Sequence, residues 1–169
     1  CRAGAFEAAD ADELLVTVGV KPSFPATGYG YLHCGREVSC ISDRSVSEVQ
    51  RFVEKPDLAT AKDYVADGHF FWNAGMFVWR PSVILSEIDR LVPDLSCGLQ
   101  ELRASWLASS NLLEAMSKVY PSLKKISIDF AVMEKANRVV MLESDFDWDD
   151  VGEWPAIARH YPADENGNV

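Results

Sequence analysis

In Phe52-Val53-Glu54-Lys55-Pro56-Asp57 a β-rich run that begins near Glu48 stops at a proline, and the residue after it is suited to start a helix. Asp57 can accept hydrogen bonds from the first helical N–H groups, Leu58, Ala61, Tyr64 and Val65 recur at helical spacing, and Gly68 supplies a stop. A second apolar, aromatic run then leads to Trp79. Strand, helix and strand in this order make a crossover unit, which predicts an α/β layered domain with a mainly parallel sheet.

Outward from this unit the alternation continues. Residues 13–20 read as a largely buried strand, 21–27 as an extended loop with two prolines, and 29–34 as a further strand. Pro81 opens a helix with Val83, Ile84, Ile88 and Leu91 on one stripe, and helical segments follow over 95–108 and 112–119. Ser127 reads as the cap of a short helix to 136, 138–142 as the last core strand, and Pro155 as part of a terminal helix reaching about His160.

Within the second strand, Phe71-Trp72-Asn73-Ala74-Gly75-Met76-Phe77 places an amide and a glycine in an apolar run. Locally this reads as a turn between two strands, with Asn73 bonded to its own backbone. The alternative is a contact surface for a hydroxyl-rich ligand, since Asn offers two donors and an acceptor and Gly75 allows close approach.

The chain has 169 residues, 48% hydrophobic and 25% charged, which fits one soluble core. Its net charge of −10 argues against a nucleic-acid backbone as partner, because that needs clustered Lys and Arg. A phosphorylated small molecule is compatible, since one lysine or a divalent cation can neutralise it locally. No apolar run is long enough to predict a membrane span and no leader pattern is visible, so the expected setting is cytoplasmic. Cys1, Cys34, Cys40 and Cys97 lack metal or disulfide spacing and are expected to be buried thiols, and His33, His69 and His160 are expected to be structural. Oligomeric state is unreadable, a homo-oligomer being left open.

Five ordered segments carry a resemblance: Thr27-Gly28-Tyr29-Gly30-Tyr31, Phe52-Val53-Glu54-Lys55-Pro56, Phe71-Trp72-Asn73-Ala74-Gly75, Ser127-Ile128-Asp129-Phe130-Ala131-Val132-Met133-Glu134-Lys135 and Trp148-Asp149-Asp150-Val151-Gly152. Over most of the chain, from about Leu14 to Tyr161, the sequence resembles the sugar-1-phosphate nucleotidylyltransferases, most closely the mannose-1-phosphate guanylyltransferases. The resemblance implies a Rossmann-like fold of which residues 1–162 form the sugar-phosphate-binding portion, with 163–169 leading into a following element. The family's Gly-rich nucleotide loop is not in this chain, so the chain by itself is expected not to synthesise a nucleotide sugar.

By that resemblance Glu54 matches a sugar-binding Glu, Lys55 a phosphate-contacting and catalytic Lys, and Asp150 a catalytic, metal-binding Asp for Mg²⁺. Gly28, Tyr29, Gly30, Asn73 and Gly75 complete the implied substrate-binding set, for mannose-1-phosphate with GTP as co-substrate. Asp149 stands where the guanylyltransferases commonly carry Ser, and either competes for the metal or faces solvent. Asp129 is given mainly a structural role at a helix front. Three other readings remain: a non-catalytic sugar-phosphate-binding or regulatory relative, another sugar-1-phosphate nucleotidylyltransferase, and a metal-dependent glycosyltransferase using Asp145-Phe146-Asp147 as its D-x-D.

Overall fold

The computed structural model describes residues 13–41, 44–152 and 154–168, and Cys1 lies outside them. Five strands occur among these residues, in the order β1 (Leu15–Val20), β2 (Tyr31–Ile41), β3 (Arg44–Val53), β4 (Phe70–Val78) and β5 (Val139–Glu143). Helix α1 (Leu58–Asp67) joins β3 to β4, and α2 (Pro81–Leu91), α3 (Pro93–Ser109) and α4 (Leu112–Val119) lie between β4 and β5. A π-helical turn (Asp129–Met133) precedes β5, and a short α5 (Trp154–Ile157) follows it.

The local punctuation works as the residue types require. The Asp57 carboxylate accepts from Thr60 N–H at 2.8 Å, and Gly68 closes α1 at φ 81°, where a Cβ would be strained. Pro81 sits in the first turn of α2, where its missing N–H is not needed. Val83, Ile84, Ile88 and Leu91 of that helix pack onto the core formed by Leu15, Leu32, Phe52, Val139 and Met141. A second, aromatic core joins Val20, Tyr31, Tyr64 and Trp72 with Phe24, Tyr29 and Trp148.

The α/β unit and its β3–α1–β4 crossover are as expected, but the sheet within this chain is mixed. Among the described residues only β1 and β5 pair in parallel, from Leu15↔Val139 to Gly19↔Glu143; the β1–β4, β2–β3, β2–β4 and β3–β5 ladders are antiparallel. Part of the cause is a long hairpin. Strands β2 and β3 run well past the lengths read from sequence, and three register irregularities between His33 and Ser39 increase their twist. The ribbon thereby curls until Val46, Ser47 and Glu48 of β3 meet Leu142, Met141 and Val140 of β5. The order β1-β4-β2-β3-β5 closes on itself, giving each strand two neighbours.

Of the cysteines, Cys34 is buried, and burial pushes its thiol up to about 12, whereas Cys40 and Cys97 are exposed, against expectation. They fall on the outer hairpin and on a surface helix, outside the core clusters. His33 stacks on Phe70 with ring centroids 4.5 Å apart, and His69 faces Asp67 at 3.1 Å, both structural contacts. Among the described residues no helix is long and apolar enough to cross a membrane.

Candidate functional site

The expected turn at Asn73 is a bulge inside one strand. Thr17 pairs with Phe77 while Gly19 pairs with Asn73, so β4 carries two extra residues opposite β1. Gly75 has φ 66°, a conformation that favours glycine, and its N–H donates to Asn73 Oδ1 at 3.3 Å. The local bond expected of Asn73 therefore exists, and two distant ones accompany it. Thr17 Oγ1 donates to the same oxygen at 2.9 Å, and Asn73 Nδ2 donates to Asp129 Oδ1 at 3.3 Å. Flipping the amide would set donors against donors and oxygen against carboxylate, so its orientation is fixed by all three neighbours. Thr17 is fully buried and went unnoticed in the sequence, although a hydroxyl in an otherwise apolar strand is the same kind of signal as Asn73.

The bulge forms one wall of a cleft of about 270 Å³. Gly28, Tyr29 and Gly30 form another wall, Glu54 and Lys55 stand at the end of β3, and Asp129, Trp148 and Asp150 complete it. Every sequence-predicted site residue thus lines one cavity. Asp129 joins them, so the structural role favoured from sequence is incomplete: the π-helical turn brings its carboxylate to Asn73. Wider helical turns of this kind recur at functional sites.

Three carboxylates around one ammonium set the cleft's electrostatics. Burial raises the Glu54 carboxyl above the usual glutamate range, Asp129 adds to the rise, and Lys55 opposes it. Gly30 leaves room beside it: a Cβ there would stand 2.6 Å from Glu54 Oε2, and the Glu54 side chain would have to shift. Lys55 has φ 48° immediately before Pro56, a conformation costing a non-glycine residue about 1–2 kcal/mol.

Asp149 neither competes for the cleft nor faces solvent freely. It accepts from Arg159 Nε and Nη2, each at 2.6 Å, from the Tyr29 hydroxyl at 2.7 Å and from His160 Nε2 at 3.0 Å. The Arg159 hydrogen bonds hold its carboxyl far below the ordinary range despite partial burial. Burial and the bond to Asp149 push the Tyr29 phenol up to about 12. Asp145 pairs with Arg44 at 2.8 Å on the exposed surface and lies outside the cleft. Asp150 is exposed at the cleft rim, and among the described residues no group of three His, Cys, Asp or Glu side chains is arranged to hold a metal. A single carboxylate fits Mg²⁺ only as one ligand beside waters and substrate phosphates.

Residues 3–167 match the Nucleotidyl transferase family, and the chain belongs to it. A mannose-1-phosphate guanylyltransferase of Klebsiella pneumoniae is 40% identical over 158 residues, 92% of this chain and 33% of that protein. The xanthan biosynthesis protein XanB of Xanthomonas campestris is 37% identical over 155 residues, covering 92% and 32%. The chain therefore spans about a third of the length of the curated relatives it matches. A crystal structure described as mannose-1-phosphate geranyltransferase from Thermus thermophilus superposes with TM-score 0.78 at 37% identity, over 96% of this chain and 44% of that one. One described as mannose-6-phosphate isomerase from Helicobacter pylori gives 0.68 at 26% identity, over 88% and 56%.

Proposed function

We propose that the whole protein is a mannose-1-phosphate guanylyltransferase, and that this chain supplies the sugar-phosphate end of its site. The observation that carries the reading is the convergence of Glu54, Lys55, Asn73 and Asp150 on one small cleft. Carboxylates accept hydrogen bonds from sugar hydroxyls, and the Lys55 ammonium neutralises a phosphate. Relatives named for mannose phosphates support mannose as the sugar. Nucleotide preference rests on the guanylyltransferase relatives alone.

In the reaction, an oxygen of mannose-1-phosphate attacks the α-phosphorus of GTP in line, the new P–O bond forms, and the α–β bridging bond breaks to release pyrophosphate. No protein nucleophile is needed. Glu54 and Asn73 orient the sugar, Lys55 offsets the charge of its phosphate, and Asp150 would supply one ligand to Mg²⁺. When bound, Mg²⁺ neutralises phosphate charge as bonds change. A cytoplasmic setting belongs to the same reading, because a nucleoside triphosphate made inside the cell is too highly charged to cross a bilayer unaided.

The test is incubation of the whole protein with GTP, mannose-1-phosphate and Mg²⁺. Equal formation of GDP-mannose and pyrophosphate is expected. Product from another sugar-1-phosphate only, or sugar-phosphate binding with no turnover, would replace this reading with a different transferase or a non-catalytic relative.

Gly30→Ala offers a local check. Its methyl group can be accommodated only if Glu54 moves, and a flexible side chain can move at small cost to the fold. The KM for mannose-1-phosphate should rise about tenfold, corresponding to roughly 1.4 kcal/mol, with the KM for GTP and the melting temperature nearly unchanged. An unaltered sugar-phosphate KM would remove Glu54 from the sugar contact.

A further inference from the structure

Beside the cleft, the ion pair of Asp149 with Arg159, ten residues on, meets a segment of the chain more than a hundred residues earlier. Arg159 grips both oxygens of Asp149, a bidentate geometry that fixes orientation as well as distance. The Asp149 side chain is only 13% exposed. The same guanidinium donates to the Tyr29 hydroxyl at 3.1 Å and lies 5.6 Å from the centre of the Phe24 ring. Tyr29 in turn meets Trp72 and Trp148 edge-on at 5.2 and 5.3 Å. The residues next to these anchors are Gly28, Gly30 and Asp150, all on the cleft wall.

We propose that Arg159 and Asp149 form a positioning clasp: without touching substrate, they set the Gly28–Gly30 segment and the Asp150 carboxylate in place opposite Glu54. Consecutive Cα atoms are held about 3.8 Å apart, so anchoring Asp149 restricts where Asp150 can stand. Anchoring the Tyr29 hydroxyl does the same for the glycines on either side. The consequence for turnover rests on the cleft being the sugar-phosphate site; the clasp itself rests on the geometry.

The experiment compares Arg159→Ala, Arg159→Lys, Asp149→Ala and the double alanine variant in the whole protein. Two quantities are read: amide hydrogen exchange over residues 26–30 and 145–152, and kcat as a function of Mg²⁺ concentration. Each single alanine variant should raise local exchange and lower kcat by about tenfold, with a higher Mg²⁺ requirement. The double variant should be no worse than either single one, because the pair acts as a unit. Arg159→Lys keeps the charge without the fork and should recover only part of the loss. Unchanged exchange, or losses that multiply in the double variant, would overturn the clasp. So would raised exchange with kcat and Mg²⁺ requirement intact, which marks a purely structural tie. If alanine variants fail to fold, Tyr29→Phe removes only the hydroxyl and should loosen residues 28–30 by exchange; no loosening overturns the proposal. A wild-type protein that makes no GDP-mannose would sink the functional reading instead, leaving the exchange measurements to decide the clasp.

Discussion

Asp150→Asn should lower turnover of the whole protein by at least about a hundredfold, on the order of 2.7 kcal/mol of transition-state stabilisation. The substitution keeps size and shape and removes the charge that makes the side chain a ligand for a hard cation. Asp150 suits this role because it is exposed at the cleft rim, whereas its neighbours are otherwise engaged: Asp149 by Arg159, Tyr29 and His160, and Asp145 by Arg44. Turnover measured across a Mg²⁺ titration checks it. Excess Mg²⁺ should restore part of the activity, and Asp149→Asn should cost about tenfold through the disturbed clasp. Equal losses at positions 149 and 150 would mean that the metal ligand is misassigned.

The contrast between these two aspartates marks what the sequence could reveal. In Trp148-Asp149-Asp150 both carboxylates look alike, and only the resemblance separated them. The partner that decides Asp149's role lies ten residues on, in the turn after a short helix, and nothing local in Ala156-Ile157-Ala158-Arg159 announces it. The helices were legible because their signals are local: a capping Asp57 and a left-handed Gly68, or Pro81 at a first turn. The sheet was not, because closure depends on β3 meeting β5 across about ninety residues and on twist accumulated through bulges. Asn73 lies between these cases. Its polarity in an apolar strand was visible, but that one oxygen serves Thr17 and Gly75 while its nitrogen reaches Asp129 is a property of register.

Glu54→Gln should weaken binding of mannose-1-phosphate by about 1–3 kcal/mol, a factor on the order of 5 to 150, while GTP affinity stays near wild type. Glutamine keeps the volume beside Gly30 and loses the charge that strengthens bonds to sugar hydroxyls. Stability should move the other way. Burial and Asp129 raise the Glu54 carboxyl, so the folded protein holds the proton more tightly than the unfolded chain does. Ionised Glu54 is thus a destabilising element above its folded-state pKa, and that effect disappears as pH falls below the ordinary glutamate value. At neutral pH the Gln variant should melt no lower than wild type, which separates a binding loss from a folding loss. Asn73→Ala is a less clean probe, because it also deprives the buried Thr17 hydroxyl of its nearest acceptor, leaving Met76 O at 3.4 Å. The pH dependence gives a second reading of the same carboxylate. Wild-type affinity for the sugar-phosphate should decline as pH drops through a value above the usual glutamate range, and the Gln variant should lack that limb. Sugar-phosphate affinities measured by calorimetry across pH would decide the matter: parallel curves of equal strength for the two proteins would remove Glu54 from the sugar site and return it to an ordinary strand end.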